Sequence, residues 1–343
     1  MSSGIEAKAA FSKAATWSTA VSAAAGDTIL ILSENLGRSR EFLPDDSAGR
    51  AFAADSDQGL ITVGGDLNAY LRYQGLEVLL AMALGTAGTP SAAGTAAYRH
   101  TLRAADDTAG LFGTLAVYKG FSVHEAPSVK VDGFTMEGEA GGPVKITFHL
   151  IGDDLNINTT SGANTTAAIS ALDQPEPGLR VLMRHGRFLM GDQDGDALDA
   201  SHEIRPNRFR LSFKRALAGD HLAGGDAIAE PTPAGQPQAT LELDFPTYTS
   251  DTFLTDLGNH TRKKASITFT GPEIESGHNY QLAIYLPHLV ITNAEAAVNG
   301  AGKIAHPVSC ALLAATSAPT GMTGITAPLA IDLTNTNPND PLA

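Results

Sequence analysis

Asp192, Asp194, Asp196 and Glu203 are the residues whose types and spacing come nearest to a chemical site. They fall at the first, third, fifth and twelfth places of a loop in which hard carboxylate oxygens can wrap one calcium ion. The frame is imperfect. Ala197 stands where the sharp turn needs glycine, and Asp199 replaces the usual apolar anchor. The flanks, GRFLMG and RPNRFRLSF, alternate like strands, whereas a calcium loop of this type joins two helices. The stretch reads better as an acidic hairpin loop, so no metal and no cofactor is expected.

Patterns for covalent or phosphate chemistry are missing. No GxSxG nucleophile elbow occurs, and Gly300-Ala-Gly302-Lys303-Ile304 lacks both the first glycine and the Ser/Thr of a phosphate loop. The ten histidines do not cluster at metal-ligand spacing. His185, His202 and His278 lie in polar, turn-like surroundings, and His124-Glu125 reads as the wet side of a strand. A single cysteine, Cys310, excludes an internal disulfide framework and a cysteine zinc cluster. With no convergence of nucleophile, base and oxyanion donors, the expectation is a protein that is not an enzyme.

The elements that carry these residues are strands, and one stretch organises them. PSVKVDGFTMEGEAGGPVKITFHL, from Pro127 to Leu150, reads as two alternating strands about a Gly-rich turn. From Pro287 the chain gives PHLVITNAEAAVNGAGKIAHPVSC, an ungapped counterpart at an offset of 160. Val129 falls on Leu289, Val131 on Ile291, Gly142 on Gly302 and Leu150 on Cys310, which makes the cysteine a buried apolar filler. An internal repeat of this length sets the fold. His306 and Pro307 break the alternation of the second copy, where an edge or bulge is expected.

Strands are expected at Thr28–Ser33, Gly59–Val63, Tyr98–Leu102 and Thr114–Lys119, and again around Phe209–Phe213, Leu241–Phe245, Ser266–Thr270 and Ala330–Leu333. Gly64-Gly65 reads as a turn into Asp66, an N-cap for a helix over Leu67–Leu84 that ends at Gly85. A shorter helical segment is expected at Ser250–Leu257. The domain reading is an N-terminal arm (1–25), a first module (26–160), a polar linker ending in Pro-Glu-Pro-Gly (161–178), a second module (179–315) and a C-terminal arm (316–343).

The composition agrees with a β-rich chain that has a real core: 43% of the 343 residues are hydrophobic and only 17% charged, with 35 glycines and 18 prolines. A net charge of -14 argues against a surface that grips nucleic acid through its phosphates. No apolar run reaches the length needed to cross a bilayer, and the first residues lack the apolar core of a secretory signal.

GLITVGGDLNAYLRYQGLEVLLAMALGT, YRHTLRAADD and SVHEAPSVKVDGFTMEGEAGGPVKITFHLIGDDL together resemble tail tube proteins of long, non-contractile-tailed bacteriophages. NRFRLSFKR, LELDF and IYLPHLVITN extend the resemblance, which covers roughly residues 26–315. It implies a mainly β fold, two tandem β-sandwich modules each with a flanking helix, whose inner strands join neighbours into the β-barrel of a ring. Stacked rings conduct double-stranded DNA without binding it specifically. Related subunits carry one module and form six-membered rings, so two modules per chain imply a trimeric pseudo-hexamer. The implied partners are further copies of the chain and the tail terminator, tape-measure and distal tail proteins. The implied place is the virion tail, assembled in the host bacterial cytoplasm.

On this reading the lumen candidates are the acidic residues of wet strand faces: Asp132, Glu137, Glu139, Glu242 and Asp244. They would make an acidic-lined conduit, and the terminal arms would bridge one ring to the next. The competing class is a tandem β-sandwich baseplate or adhesin-type binding protein. Only 6% of residues are aromatic, with no Trp/Tyr cluster to stack on sugars. A third class is a two-domain hydrolase whose site escapes its motifs.

Overall fold

The computed structural model of the protein describes residues 4–53, 55–158, 160–298 and 300–343. Among them, fourteen strands of six or more residues carry the fold. They are β1 (Lys8–Lys13), β2 (Gly37–Pro44), β3 (Ser56–Tyr70), β4 (Tyr98–Ala104), β5 (Gly113–Tyr118), β6 (Val123–Glu139) and β7 (Lys145–Gly152). The second half adds β8 (Gly186–Asp192), β9 (Arg208–Lys214), β10 (Gln238–Phe245), β11 (Arg262–Glu275), β12 (His278–Asn293), β13 (His306–Leu312) and β14 (Ala330–Asn335). Three short helices complete it: α1 (Glu77–Leu84), α2 (Thr166–Ala171) and α3 (Thr252–Gly258).

Eight of these strands form one antiparallel sheet in the order β2, β3, β7, β6, β9, β10, β13, β12. Alternation in the sequence explains it: Phe209, Leu211 and Phe213 are buried, as are Leu241 and Leu243 on the next strand, while the residues between them face outward. The long strands β6 and β12 also belong to a second set of pairings through their first halves. β6 pairs with β5, and β5 with β1; β12 pairs with β11 and β14, β11 with β8, and β14 with β4. One apolar core joins both sets, with Phe11 and Val117 beside Leu67, Phe148, Phe209, Phe269 and Ile284.

The two central hairpins have matching registers. Val131 faces Leu150 and Ile291 faces Cys310; Val129 faces Gly152 and Leu289 faces Leu312. A bulge follows in each, between Val131 and Gly133 and between Ile291 and Asn293. The next strand over keeps step, with Ala69 opposite Ile146 and Phe245 opposite His306. Beyond the bulges the hairpins differ: β6 and β7 stay paired to Glu137 and Lys145, whereas β12 and β13 part after Asn293 and Ser309. Thr147 turns its backbone toward β6. Pro307 stands in the corresponding place of β13 and has no N–H to offer.

Three expectations need correction. The helix begins at Glu77, not at Leu67, because β3 runs straight through Gly64-Gly65 to Tyr70 with Ile61, Val63, Leu67 and Ala69 buried at every second position. Leu67 and Leu71 fit both periods, and the paired glycines stand inside the strand instead of making a turn. Their purpose is close approach, since a Cβ on Gly65 would stand 2.7 Å from Leu36 Cα. Helix α1 is also buried nearly all round and has no solvent face. Gly85 does close it in the left-handed conformation.

The N-terminal segment is not a free arm: Ala9, Ala10 and Phe11 are buried in β1, and Trp17 donates to Ile228 O at 3.0 Å. Nor do residues 161–178 hang loose. They contain α2, and Asn164 donates twice to the buried Glu125 carboxylate, at 2.8 and 2.9 Å.

Candidate functional site: the polar sheet face and its edges

The outward face of the eight-strand sheet is laid out in cross-strand rows. One row runs Tyr70, Lys145, Glu137, Arg210, Glu242; the next has Glu139, Arg208, Asp244. On the other side lie Asn68, Thr147, Thr135, Ser212, Thr240, and then Asp66, His149, Gly133, Lys214, Gln238. Acids and bases alternate along the charged rows, so each carboxylate lies opposite a cation, the arrangement that favours strand pairing. Arg208 Nη1 stands 3.7 Å from Asp244 Oδ2, and His149 Nδ1 is 2.7 Å from Asp66 Oδ1. Thr135 Oγ1 lies between His149 Nε2 at 3.2 Å and Ser212 Oγ at 3.4 Å, tying the two halves across the face.

The structure therefore places Glu137, Glu139, Glu242 and Asp244 together on one face. It also corrects two expectations about that face. Asp132 is not on it: the bulge after Val131 turns its side chain inward, where it is 6% exposed and accepts from Leu217 N at 2.7 Å. And the face is not acidic, because Lys145, Arg208, Arg210 and Lys214 interleave with the acids. Alternate basic positions in NRFRLSFKR carry that signal in the sequence.

The calcium candidates do not converge. Asp192 Oδ1 pairs with Lys263 Nζ at 2.8 Å and Glu203 Oε1 with Arg205 Nε at 2.9 Å. Among the described residues no group of three or more His, Cys, Asp or Glu side chains could hold a metal ion. Burial acts to lower the Lys263 ammonium, but its hydrogen bonds to Asp192 and Asp256 outweigh this and hold it above the ordinary lysine value. The acidic loop is thus neutralised by its own neighbour strand.

Behind the face, polar ties lock the halves together. Arg215 follows β9 and is 2% exposed; its guanidinium donates to Ala83 O at 2.6 Å, to Ala105 O at 2.8 Å and to Leu84 O. Ala83 and Leu84 end α1, where carbonyls have no helical partner, and a cation suits that end of the dipole. Desolvation pulls the guanidinium down to about 10, against the opposing pull of Asp107, Asp106 and Asp132. On the far side, buried Asn335 of β14 donates to Glu77 Oε1 at 2.6 Å and Tyr73 O at 2.9 Å, and its Oδ1 meets His100 Nε2 at 3.1 Å.

The sheet is open within one chain. Its two end strands, β2 and β12, do not pair with each other among the described residues. Beyond β2 no described strand pairs, and neither does one along Ala294–Val298 after β12. Leu36 N, on the outer side of that first edge, is taken by the Glu34 carboxylate at 2.9 Å, and Ala294 O by His306 Nε2 at 2.9 Å.

An open sheet with a patterned polar face and two unpaired edges is built to be continued by further strands. The chain belongs to the phage tail tube protein family, whose model, described as "Phage tail tube protein", matches residues 4–333. Among solved structures it is similar to the "Crystal structure of Hcp protein", at 14% identity and a TM-score of 0.24, over 36% of this chain and 86% of that one. No curated protein matches it. The chain is accordingly a structural protein of the virion tail that associates with copies of itself into a tube.

Proposed function

We propose that three copies of this chain close into a ring of six modules and that stacked rings form the tube through which phage DNA is ejected into the host. The observation that carries the reading is the eight-strand sheet. Its two four-strand halves share one register, with hairpin residues 160 positions apart in equivalent places. The repeat, and the module limits at 26–160 and 179–315, belong to this proposal. Closing the ring removes the two unpaired edges that each chain otherwise presents.

The polar face would line the lumen. A face of alternating charge offers DNA no continuous basic stripe to grip, which serves passage as well as an acidic wall would. Ring-to-ring contact falls to the β2–β3 hairpin, because β1 and β14 are built into the chain's own sheets. Every residue of β2 is exposed, and Phe42 and Phe52 are 70% and 87% exposed. Tubes that lengthen normally after both are changed to Ser would remove the hairpin from this role. Assembly would take place in the bacterial cytoplasm and end on terminator, tape-measure and distal tail proteins. Electron cryo-microscopy of the purified protein tests the central claim: three chains per ring are expected, and six chains per ring, or persistent monomers, would overturn it.

A further inference from the structure

The seam between the two halves of one chain, β6 against β9, shows how the seam between two chains must be made. On the ring reading proposed above, β12 of one chain meets β2 of the next as β6 meets β9. The internal seam pairs Phe134 with Phe213, Met136 with Leu211 and Gly138 with Phe209. The hairpin register carries Phe134, Met136 and Gly138 onto Ala294, Ala296 and Val298. The β9–β10 and β2–β3 registers carry Phe213, Leu211 and Phe209 onto Arg38, Leu36 and Glu34, since Leu211 faces Leu241 where Leu36 lies beside Gly65.

From this we infer that Ala294–Val298, an irregular segment in the single chain, becomes a strand on a second copy's Glu34–Arg38 edge. Ala294 then faces Arg38, Ala296 faces Leu36 and Val298 faces Glu34. Backbone geometry agrees. Asn35 N bonds inward to Asp66 O at 3.1 Å, which turns the backbone groups of Glu34, Leu36 and Arg38 outward. In the internal seam, Arg215 N reaches Asp132 O and Ala140 N reaches Asn207 O, so the even-numbered residues of β6 point across it. Ala294, Ala296 and Val298 inherit that direction.

The side chains that now hold this edge are then caps. Glu34 occupies the N–H of Leu36 and His306 the carbonyl of Ala294, the two groups a neighbouring strand needs. Covered edges keep single chains from pairing indiscriminately, and each cap gives way when the matching edge arrives. The match begins at Ala294, not at Asn293. Gly133 is bare where a Cβ would overlap Phe213 O, and Asn293 has a side chain in that place, so the inter-chain strands separate slightly there.

Disulfide trapping tests the register. Glu295 and Gly37 form a facing pair between the hydrogen-bonded ones, close enough for a disulfide, and a Cβ on Gly37 meets nothing nearer than Asn35 O at 3.8 Å. Oxidised tubes of the Gly37→Cys, Glu295→Cys variant should yield covalently closed trimers. The Gly37→Cys, Ala297→Cys variant, two residues out of register, should cross-link at least about tenfold less. Tubes in which the second variant links as well as the first, or neither links, overturn the register while leaving the ring reading intact. Wild-type protein that forms no ring overturns the ring reading itself. Hydrogen exchange on unmodified protein decides the matter if the variants do not assemble. Amides of Ala294, Ala296 and Val298 should slow at least about tenfold on tube formation, and unchanged exchange refutes the strand.

Discussion

Replacing Arg215 by Met tests whether the halves are locked through α1. The change keeps the length of the side chain but leaves Ala83 O and Ala105 O without the donor that now meets them; Leu84 O keeps Ala105 N at 2.7 Å. Each buried carbonyl left alone costs about 1–3 kcal/mol, and losing the cation at the helix end costs up to about 2 kcal/mol. Removing the charge also ends the desolvation that pulls the guanidinium from 12.5 down to about 10, which returns roughly 3 kcal/mol. With about 2 kcal/mol for each carbonyl and the helix-end effect at its upper value, the net loss is about 3 kcal/mol. For a chain of 343 residues, an unfolding entropy near 2.1 cal/mol/K per residue turns this into a fall of about 4 °C in melting temperature. Differential scanning calorimetry on the unassembled chain reads it directly. Arg215→Lys keeps a charge but cannot fork to three carbonyls, so an intermediate fall is expected. A melting temperature within about 1 °C of wild type for Arg215→Met would show that α1 needs no cap from the second half.

Three other outcomes are open to measurement. Glu242→Lys with Asp244→Lys puts cations opposite Arg210 and Arg208; Glu242 is exposed and Asp244 half-exposed, so stability should change by about 1 kcal/mol or less while DNA ejection slows, and unchanged ejection rates would take these residues out of the lumen. Burial pushes the Cys310 thiol up to about 12, so a folded chain should resist a thiol reagent at pH 8 and react only on unfolding; prompt reaction of native protein would place the sulfur at the surface. Gly133→Ala sets a methyl against the backbone of Phe213 and Lys214, which should lower stability by about 3 kcal/mol in urea titration; a wild-type midpoint would mean that the β6–β9 seam is not close-packed there.

The central hairpins were legible because one face is buried and one wet, so apolar residues at every second position fix both strand and register. Pro127–Leu150 and its counterpart at Pro287 therefore appear in the structure with the pairings their alternation suggests, down to the interruption at Pro307. Leu67 to Leu84 misled because Leu67, Leu71, Val78 and Met82 satisfy a helical spacing. The strand period through Ile61, Val63, Leu67 and Ala69 becomes visible only once Gly65 is understood as a place where the backbone of Asn35 and Leu36 lies close. Lys8–Lys13 gave no sign of a strand, as its buried residues, Ala9, Ala10 and Phe11, are consecutive and mostly small. Of the acidic candidates, Asp132 failed because a bulge reverses the side on which a residue emerges, and nothing in KVDGF announces a bulge except its glycine. The bases Arg208 and Arg210 were in plain sight, but only cross-strand pairing shows that they sit among the acids.

The proposed ring would have two kinds of seam, which would differ in strength for reasons already in the residues. The seam within a chain brings Phe134 and Phe213 to 5.9 Å, buries Met136 against Leu211, closes over the bare Gly133 and is backed by Arg215. The inferred seam between chains offers Ala294, Ala296 and Val298 to Arg38, Leu36 and Glu34, with less apolar area to bury and two caps to displace. On the proposed ring of three chains, the stronger internal seam would keep the two halves of one chain together before assembly, and the weaker external one would leave closing reversible until the ring is complete. A ring of six identical modules cannot separate these demands, since any change that eases assembly loosens every seam. On the proposed reading, joining two modules in one chain would let the internal seam be optimised for packing and the external one for controlled association. The departures of the second copy, alanines for Phe134 and Met136 and His306-Pro307 for Ile146-Thr147, lie along the seam where that difference is made.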